Sequence, residues 1–197
     1  EPAVLDRIFA ARGVRRTDEL DRSLAQLHTP DAMIDIEPAA ERLMGAVLQG
    51  ERILIVGDFD ADGATSVALS VSVLQAMGAD NVDFLVPNRF DFGYGLSAEI
   101  VSLAATRNPA VIVTVDNGVS SVAGVAAANQ LGIDVIVTDH HLPGQQLPEA
   151  LAIVNPNRPD CDFPSKALAG VGVIFYLLGR LRAKLEAQGW FDSRERP

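Results

Sequence analysis

Residues 53–66 read ILIVGDFDADGATS, and the fold follows from how this stretch is read. The apolar, mostly β-branched run Ile53–Val56 leads into Gly57, then Asp58, Asp60 and Asp62 follow at alternate positions before Gly63 opens a helix-forming run. Such a run reads as a strand buried on both faces of a parallel sheet. Three carboxylates crowded into five residues repel one another unless a cation sits among them, so the stretch predicts a metal site where the strand ends. Helix capping accounts for one or two of these acids, not for three flanked by glycines. Residues 58–63 also match the first half of a calcium loop. The twelfth position of that loop requires a bidentate Glu. It is Leu69 here, and a strand rather than a helix precedes the motif, so the calcium loop is excluded.

Outward from this stretch, strand and helix patterns alternate. Strands are expected over 52–57, 82–86, 110–115, 133–138 and 151–154, and helices over 63–77, 97–106, 120–131 and 167–188. Strand–helix units of about 25–30 residues are βαβ spacing. The expected class is therefore α/β, a mostly parallel, doubly wound sheet. Residues 1–50 read as an N-terminal helical preface that packs on the main domain. Val4, Leu5, Ile8 and Phe9 form one apolar stripe, Leu20, Leu24 and Leu27 a second after a start at Thr17, and Pro38 fits the first turn of a helix over 38–49. The expected divisions are thus 1–50, a main domain over 51–188 that is incomplete at its C-terminal end, and a loop-like tail over 189–197. Glu1 in place of Met is read as a trimmed start.

Composition narrows the class. A hydrophobic fraction of 48% suits an ordinary globular protein, and the single cysteine, Cys161, leaves no internal disulfide framework. The longest apolar run, about 167–179, is too short for a membrane span, and no membrane association is expected. A cytoplasmic setting follows. The formal net charge of −10 argues against a surface that binds nucleic acid over its whole extent, but bound cations at clustered carboxylates leave room for a nuclease site.

In an open parallel sheet, ligands bind beyond the carboxyl ends of the strands. Here ILIVG runs into Asp58, VIVTV into Asp116-Asn117-Gly118, and VIVT into Asp139-His140-His141. Asp-Asn-Gly alone is a turn signal, and a lone His after a strand is usually structural. Acids on three strand ends, with two of the protein's three histidines beside them, point to a shared cation site. Carboxylate and imidazole ligands without thiolate suit Mn²⁺ or Mg²⁺. Two such ions can activate a water and stabilise a leaving oxygen, so the residues fit two-metal hydrolysis. Neither a G-x-S-x-G nucleophile elbow nor a P-loop is present. Gly93–Ala98 fits G-x-G-x-x-A, with Asp116 near the distance of a ribose-binding acid. Residues 87–92 separate this motif from its strand, and dinucleotide binding leaves Asp60, Asp62 and the His pair unexplained. The same loop offers Arg89, Tyr94 and the amides near Ser97 as candidate phosphate contacts.

Five segments together resemble the DHH phosphoesterase superfamily, and within it the RecJ family of single-strand-specific 5′→3′ exonucleases. They are GDFDADGATS (57–66), VPNRFDFGYGLS (86–97), VTVDNGVSS (113–121), VTDHHLPG (137–144) and IVNPNRPDCDFPSKALAGVGVIF (153–175). The resemblance implies Asp60, Asp62, Asp116 and His140 as metal ligands, with Asp116 the bridge and a catalytic residue. His141 falls near the scissile phosphate, and Asp58 is a motif acid, either a ligand or a support. It also implies two Mn²⁺ or Mg²⁺ ions, single-stranded DNA as substrate in repair and recombination, and a single-strand-binding protein or helicase as partner. The chain stops at Pro197, before any stretch that matches the family's later metal-binding Asp, and holds no match to the family's second domain or OB-fold. This segment alone is therefore expected to fold, to hydrolyse DNA poorly, and to expose apolar surface along 167–185. A catalytically silent scaffold, or a phosphodiesterase of short oligonucleotides or cyclic dinucleotides, is the alternative.

Overall fold

The computed structural model describes residues 2–21, 23–88 and 92–193. Its elements run α1 (Pro2–Ala11), α2 (Ile36–Gln49), β1 (Ile53–Gly57), α3 (Ala61–Ala76), β2 (Val82–Leu85), α4 (Ala98–Ala105), β3 (Val111–Val115), α5 (Val122–Gln130), β4 (Asp134–Thr138), β5 (Ala152–Val154) and α6 (Gly170–Ala187). Each expected strand is present with its ends shifted by at most one residue. All strand pairs are parallel, in the order β2-β1-β3-β4-β5. The order reverses direction between β1 and β3. A doubly wound sheet opens its ligand crevice at that switch, beyond the carboxyl ends of the strands. Gly57 lies level with Val115, so the next residues, Asp58 and Asp116, enter the crevice side by side.

Period-2 alternation within the strands splits the core into two layers. Ile53, Ile55, Val113, Val115 and Ile136 pack with α2, α3 and α6 on one face. Leu54, Val56, Ile112, Val135 and Val137 pack with α4 and α5 on the other. All ten side chains are buried.

The N-terminal region carries helices at both ends, α1 and α2, as expected, and departs from expectation between them. The Leu20, Leu24 and Leu27 stripe forms no α-helix. The chain instead makes short 3-10 turns at Thr17–Leu20, Leu24–Gln26 and Pro30–Ala32. Leu24 is 77% exposed, and Val4, Leu5 and Ile8 of α1 are exposed too. Helical spacing marks which side chains share a face, and here no described element covers that face. α2 behaves differently. Ala39, Ala40, Leu43 and Ala46 are buried in the main core. Asp35, at φ 59°, accepts from Ile153 N at 3.1 Å and Arg158 Nη1 at 2.6 Å. The helix expected over 38–49 thus belongs to the same packed unit as the sheet. The expected tail is also anchored: Trp190 Nε1 donates to Met77 O at 2.7 Å, and Phe191 is buried. Residues 194–197 lie outside the described residues.

α6 does not present the apolar surface expected along 167–185. Val173, Ile174, Leu177, Leu178, Leu181 and Leu185 are buried against α2, α3 and the sheet, and Phe175 is its one large apolar side chain in the open. No described helix is long and apolar enough to cross a membrane.

Candidate metal centre

The first loop, after β1, is shaped by close packing. A Cβ on Gly63 would stand 2.4 Å from the Asp58 carbonyl oxygen, so only glycine lets α3 start this close to the strand. Asp58 Oδ1 accepts from Phe59 N at 2.8 Å. Asp60 caps α3, its Oδ1 accepting from Gly63 N at 2.9 Å. Capping is therefore real at Asp60 and leaves its second oxygen free of that duty. Asp62 reaches across to α6, where Oδ2 accepts from Gly170 N at 2.7 Å and Oδ1 from Val171 N at 2.8 Å.

The second loop, after β3, turns through the left-handed region at Asp116, φ 61°, and Gly118, φ 112°. Asp116 N donates to Thr138 O at 3.0 Å, locking this turn to β4. Asn117 Nδ2 donates to Val56 O at 3.2 Å and Val115 O at 2.9 Å, stapling the ends of β1 and β3. Asp116 is 2% exposed, yet its Oδ1 has no hydrogen-bond partner. Burial, and then the charges of Asp62 and Asp60, push its carboxyl up to about 7, with His141 pulling the other way.

The third loop, after β4, is organised by Asp139, 1% exposed. Its Oδ2 accepts from Val119 N at 2.9 Å. Its Oδ1 accepts from His140 N at 2.7 Å, His141 N at 3.1 Å and His141 Nδ1 at 2.7 Å. Burial is the largest influence on Asp139 and acts upward. The hydrogen bonds from His141 and the amides outweigh it and hold the carboxyl below its ordinary range. That anion only accepts, so Nδ1 of His141 carries a proton and Nε2 is left for other partners. The bond to Asp139 raises the His141 pKa against the opposing effect of partial burial. Asn155 Nδ2 donates to His141 O at 2.9 Å, and Asn157 Nδ2 to His140 O.

The loops converge. His140 Nε2 stands 3.1 Å from Asp116 Oδ1 and 3.6 Å from Asp62 Oδ2. Among the described residues, Asp116, His140 and His141 can place one ligand atom each within 4.8 Å of one another. Asp58 and Asp60 stand outside that tight group, and their charges still act on His141 and Asp116 respectively. Tyr94 OH donates to Asp116 O at 3.2 Å and lies 3.3 Å from His141 Nδ1. Burial and the surrounding carboxylates raise its pKa, which keeps it a neutral donor. Ser97 caps α4, accepting from Ile100 N at 3.3 Å, so its hydroxyl is engaged by its own helix. Arg89 lies outside the described residues.

A divalent cation fits this arrangement. An unpartnered buried carboxylate oxygen, crowded by like charges and facing imidazole nitrogen, is what a hard cation would relieve. Sequence reasoning missed several supports: Asp139 as the residue holding both histidines, the Asn155 and Asn157 side chains, and the amides of Gly170 and Val171. Asp139 alone had a signal, its place among the strand-end acids.

Comparison with known proteins gives the family. The family model described as "DHH family, N-terminal domain" matches residues 52–192. The single-stranded-DNA-specific exonuclease RecJ of Escherichia coli (strain K12) is 58% identical over 193 residues, 98% of this chain. The chain spans about a third, 33%, of that relative's length. A crystal structure of exonuclease RecJ bound to manganese superposes with a TM-score of 0.71 at 36% identity, covering 84% of this chain and 40% of its own. RecJ from Thermus thermophilus in complex with Mn²⁺ gives a TM-score of 0.74 at 35% identity, covering 96% of this chain and 25% of its own. With its model matched across the sheet and all three acidic loops, the chain belongs to the DHH family.

Proposed function

We propose that the protein contributes the metal centre of a nuclease that hydrolyses phosphodiester bonds of single-stranded DNA from the 5′ end, with two Mn²⁺ or Mg²⁺ ions. The observation that carries this is the meeting of Asp62, Asp116 and His140 around an unpartnered buried carboxylate oxygen, beside the Asp139–His141 pair. Bound cations would activate a water and offset charge on the phosphate. The chain's own residues do the rest. Asp58 and Asp60 add negative charge at the crevice mouth and raise the cation affinity of the site. Asp139 fixes the His141 ring and, through their hydrogen bond, raises the His141 pKa, which suits His141 to donate a proton to an oxygen leaving phosphorus. Tyr94, half exposed at the rim, presents a ring on which a base can stack. Arg89 and the Ser97 end of α4 are proposed to meet the phosphate backbone. A net charge of −10 leaves little surface to hold a polyanion, so grip on DNA is assigned to parts found in the longer relatives. A repair or recombination setting, a single-strand-binding protein or helicase partner, and a cytoplasmic location complete the proposal.

The test is digestion of 5′- and 3′-labelled oligonucleotides in Mn²⁺ by the chain joined to the regions that complete its relatives. Label should leave first from the 5′ end, and EDTA should stop the reaction. Release from the 3′ end refutes the polarity, and undiminished hydrolysis in EDTA refutes the metal reading.

A further inference from the structure

The first turn of α6 touches two of the converging carboxylates at once. Gly170 N and Val171 N donate to the two oxygens of Asp62, at 2.7 and 2.8 Å. First-turn amides have no partners within their own helix and carry the positive end of its dipole. Gripping both oxygens fixes the plane of the carboxylate, not merely its position. Each oxygen retains capacity for another partner, and Oδ2 faces His140 Nε2 at 3.6 Å. The residue that would ordinarily cap α6, Ala169, has no side-chain oxygen to do so. Asp62, 108 residues away, supplies the cap.

Gly170 also lies against Asp116. A Cβ there would stand 2.6 Å from Asp116 Oδ1, 2.8 Å from its Cβ and 2.9 Å from its Cγ. Asp116 has no easy retreat, since its backbone sits at φ 61° and its amide is bonded to Thr138 O. Its Oδ1 is buried, makes no hydrogen bond and faces His140 Nε2 at 3.1 Å. A side chain at 170 forces either Asp116 aside or α6 back, and the second movement releases Asp62.

We infer that the first turn of α6 is a positioning element of the metal centre: Gly170 and Val171 orient Asp62, and the bare Cα of Gly170 makes room for Asp116. The inference rests on the cluster being a divalent-cation site. It predicts that Gly170→Ala weakens Mn²⁺ binding tenfold or more, about the cost of losing a contact that orients a ligand. Gly179 of the same helix gives the control, because a Cβ there would meet nothing within 4 Å and it lies more than two turns from the carboxylates.

The experiment is a Mn²⁺ titration, by calorimetry and electron paramagnetic resonance, of the parent, Gly170→Ala and Gly179→Ala, with folding checked by circular dichroism in EDTA. Gly179→Ala should match the parent while folded Gly170→Ala loses affinity. Folded Gly170→Ala with parental affinity overturns the inference. Amide spectra of the parent under Mg²⁺ titration decide the case independently of any variant's folding. The Gly170 and Val171 resonances should move on the same isotherm as His140, with Gly179 still. If His140 moves and the two α6 amides do not, the positioning role is refuted and the metal site stands. If nothing in the cluster responds and the parent binds no Mn²⁺, the metal reading itself falls.

Discussion

Replacing Asp116 by Asn should stabilise the metal-free protein while destroying its response to metal. The side chain is 2% exposed, and its carboxyl is pushed up to about 7 by burial, with Asp62 and Asp60 adding to the effect. An acid whose folded pKa lies above its unfolded value of 3.8 binds its proton more tightly in the native state. Stability therefore falls as pH rises from about 4 to 7 and stays low above that window. A rise from 3.8 to about 7 corresponds to ~4 kcal/mol at pH 8. That is an upper figure, because His140 Nε2, 3.1 Å from Asp116 Oδ1, can donate to the carboxylate and offset part of it. Asn matches the shape, never ionises, and is among the residues that tolerate the left-handed backbone at φ 61°. In EDTA at pH 8 the Asp116→Asn variant should melt above the parent, by about 2–4 °C for each kcal/mol gained in a chain of this size. At pH 4 the difference should shrink toward zero. In Mn²⁺ the order should invert, because only the parent gains the free energy of binding. Thermal unfolding followed by circular dichroism under these three conditions provides the check. A variant that melts below the parent in EDTA at pH 8 would show the Asp116 carboxylate to be stabilising, and the crowding argument for a cation would fail.

Further outcomes follow from the same geometry. His140→Ala should lose both Mn²⁺ affinity and turnover. His141→Ala should lose turnover by about 10²–10⁴, the usual worth of a proton-transfer group, with a smaller change in affinity by calorimetry; equal losses of affinity would make both rings ligands. Asp139→Asn sets an NH₂ group among four N–H donors. It should cost about 1–3 kcal/mol in denaturant unfolding and lower the His141 midpoint in an NMR titration, and an unmoved midpoint would contradict the role given to Asp139. Phe163→Ala removes a fully buried ring that packs on Tyr176 with centroids 5.1 Å apart. A loss of roughly 3–5 kcal/mol is expected; a loss under ~1 kcal/mol would mean the site collapses around the gap.

The strands were readable because each is buried on both faces, which leaves a continuous apolar run with sharp ends. The site acids were readable for a related reason: a parallel sheet delivers whatever follows its strands to one edge. What holds those acids was not readable. Val119 N reaches Asp139 from 20 residues away, and Gly170 N reaches Asp62 from 108. Backbone amides carry no residue identity, so nothing in the letters at 170 and 171 marks them as donors to a carboxylate. Ser97 shows the converse. A serine before a helix, near glycines, suits a phosphate contact and a helix cap equally; its bond to Ile100 N shows the cap, and the amides beside it are the proposed phosphate contact.

The apolar stripes went astray for a different reason, which bears on the site. Periodicity shows that a helix has an apolar face and is silent about what covers it. α1 has such a face and leaves it open, with Val4 58% and Leu5 55% exposed. α6 was expected to leave its face open and does not. Its buried residues Val173, Ile174, Leu177, Leu178, Leu181 and Leu185 fall at i, i+1, i+4, i+5, i+8 and i+12, two adjacent stripes rather than one. A double stripe is wide enough to serve two neighbours, and α2 and α3 both pack against it. That clamping fixes the helix along its length and hence the position of its first turn. α3 carries Asp62 in its own first turn, so the packing of α3 on α6 and the bonds from Gly170 and Val171 to Asp62 join the same two elements. A core substitution such as Leu177→Ala, far along the helix from the carboxylates, should therefore loosen Mn²⁺ binding as well as the fold. A Leu177→Ala variant that melts lower in EDTA yet titrates Mn²⁺ like the parent would show that the metal centre holds its shape without this packing.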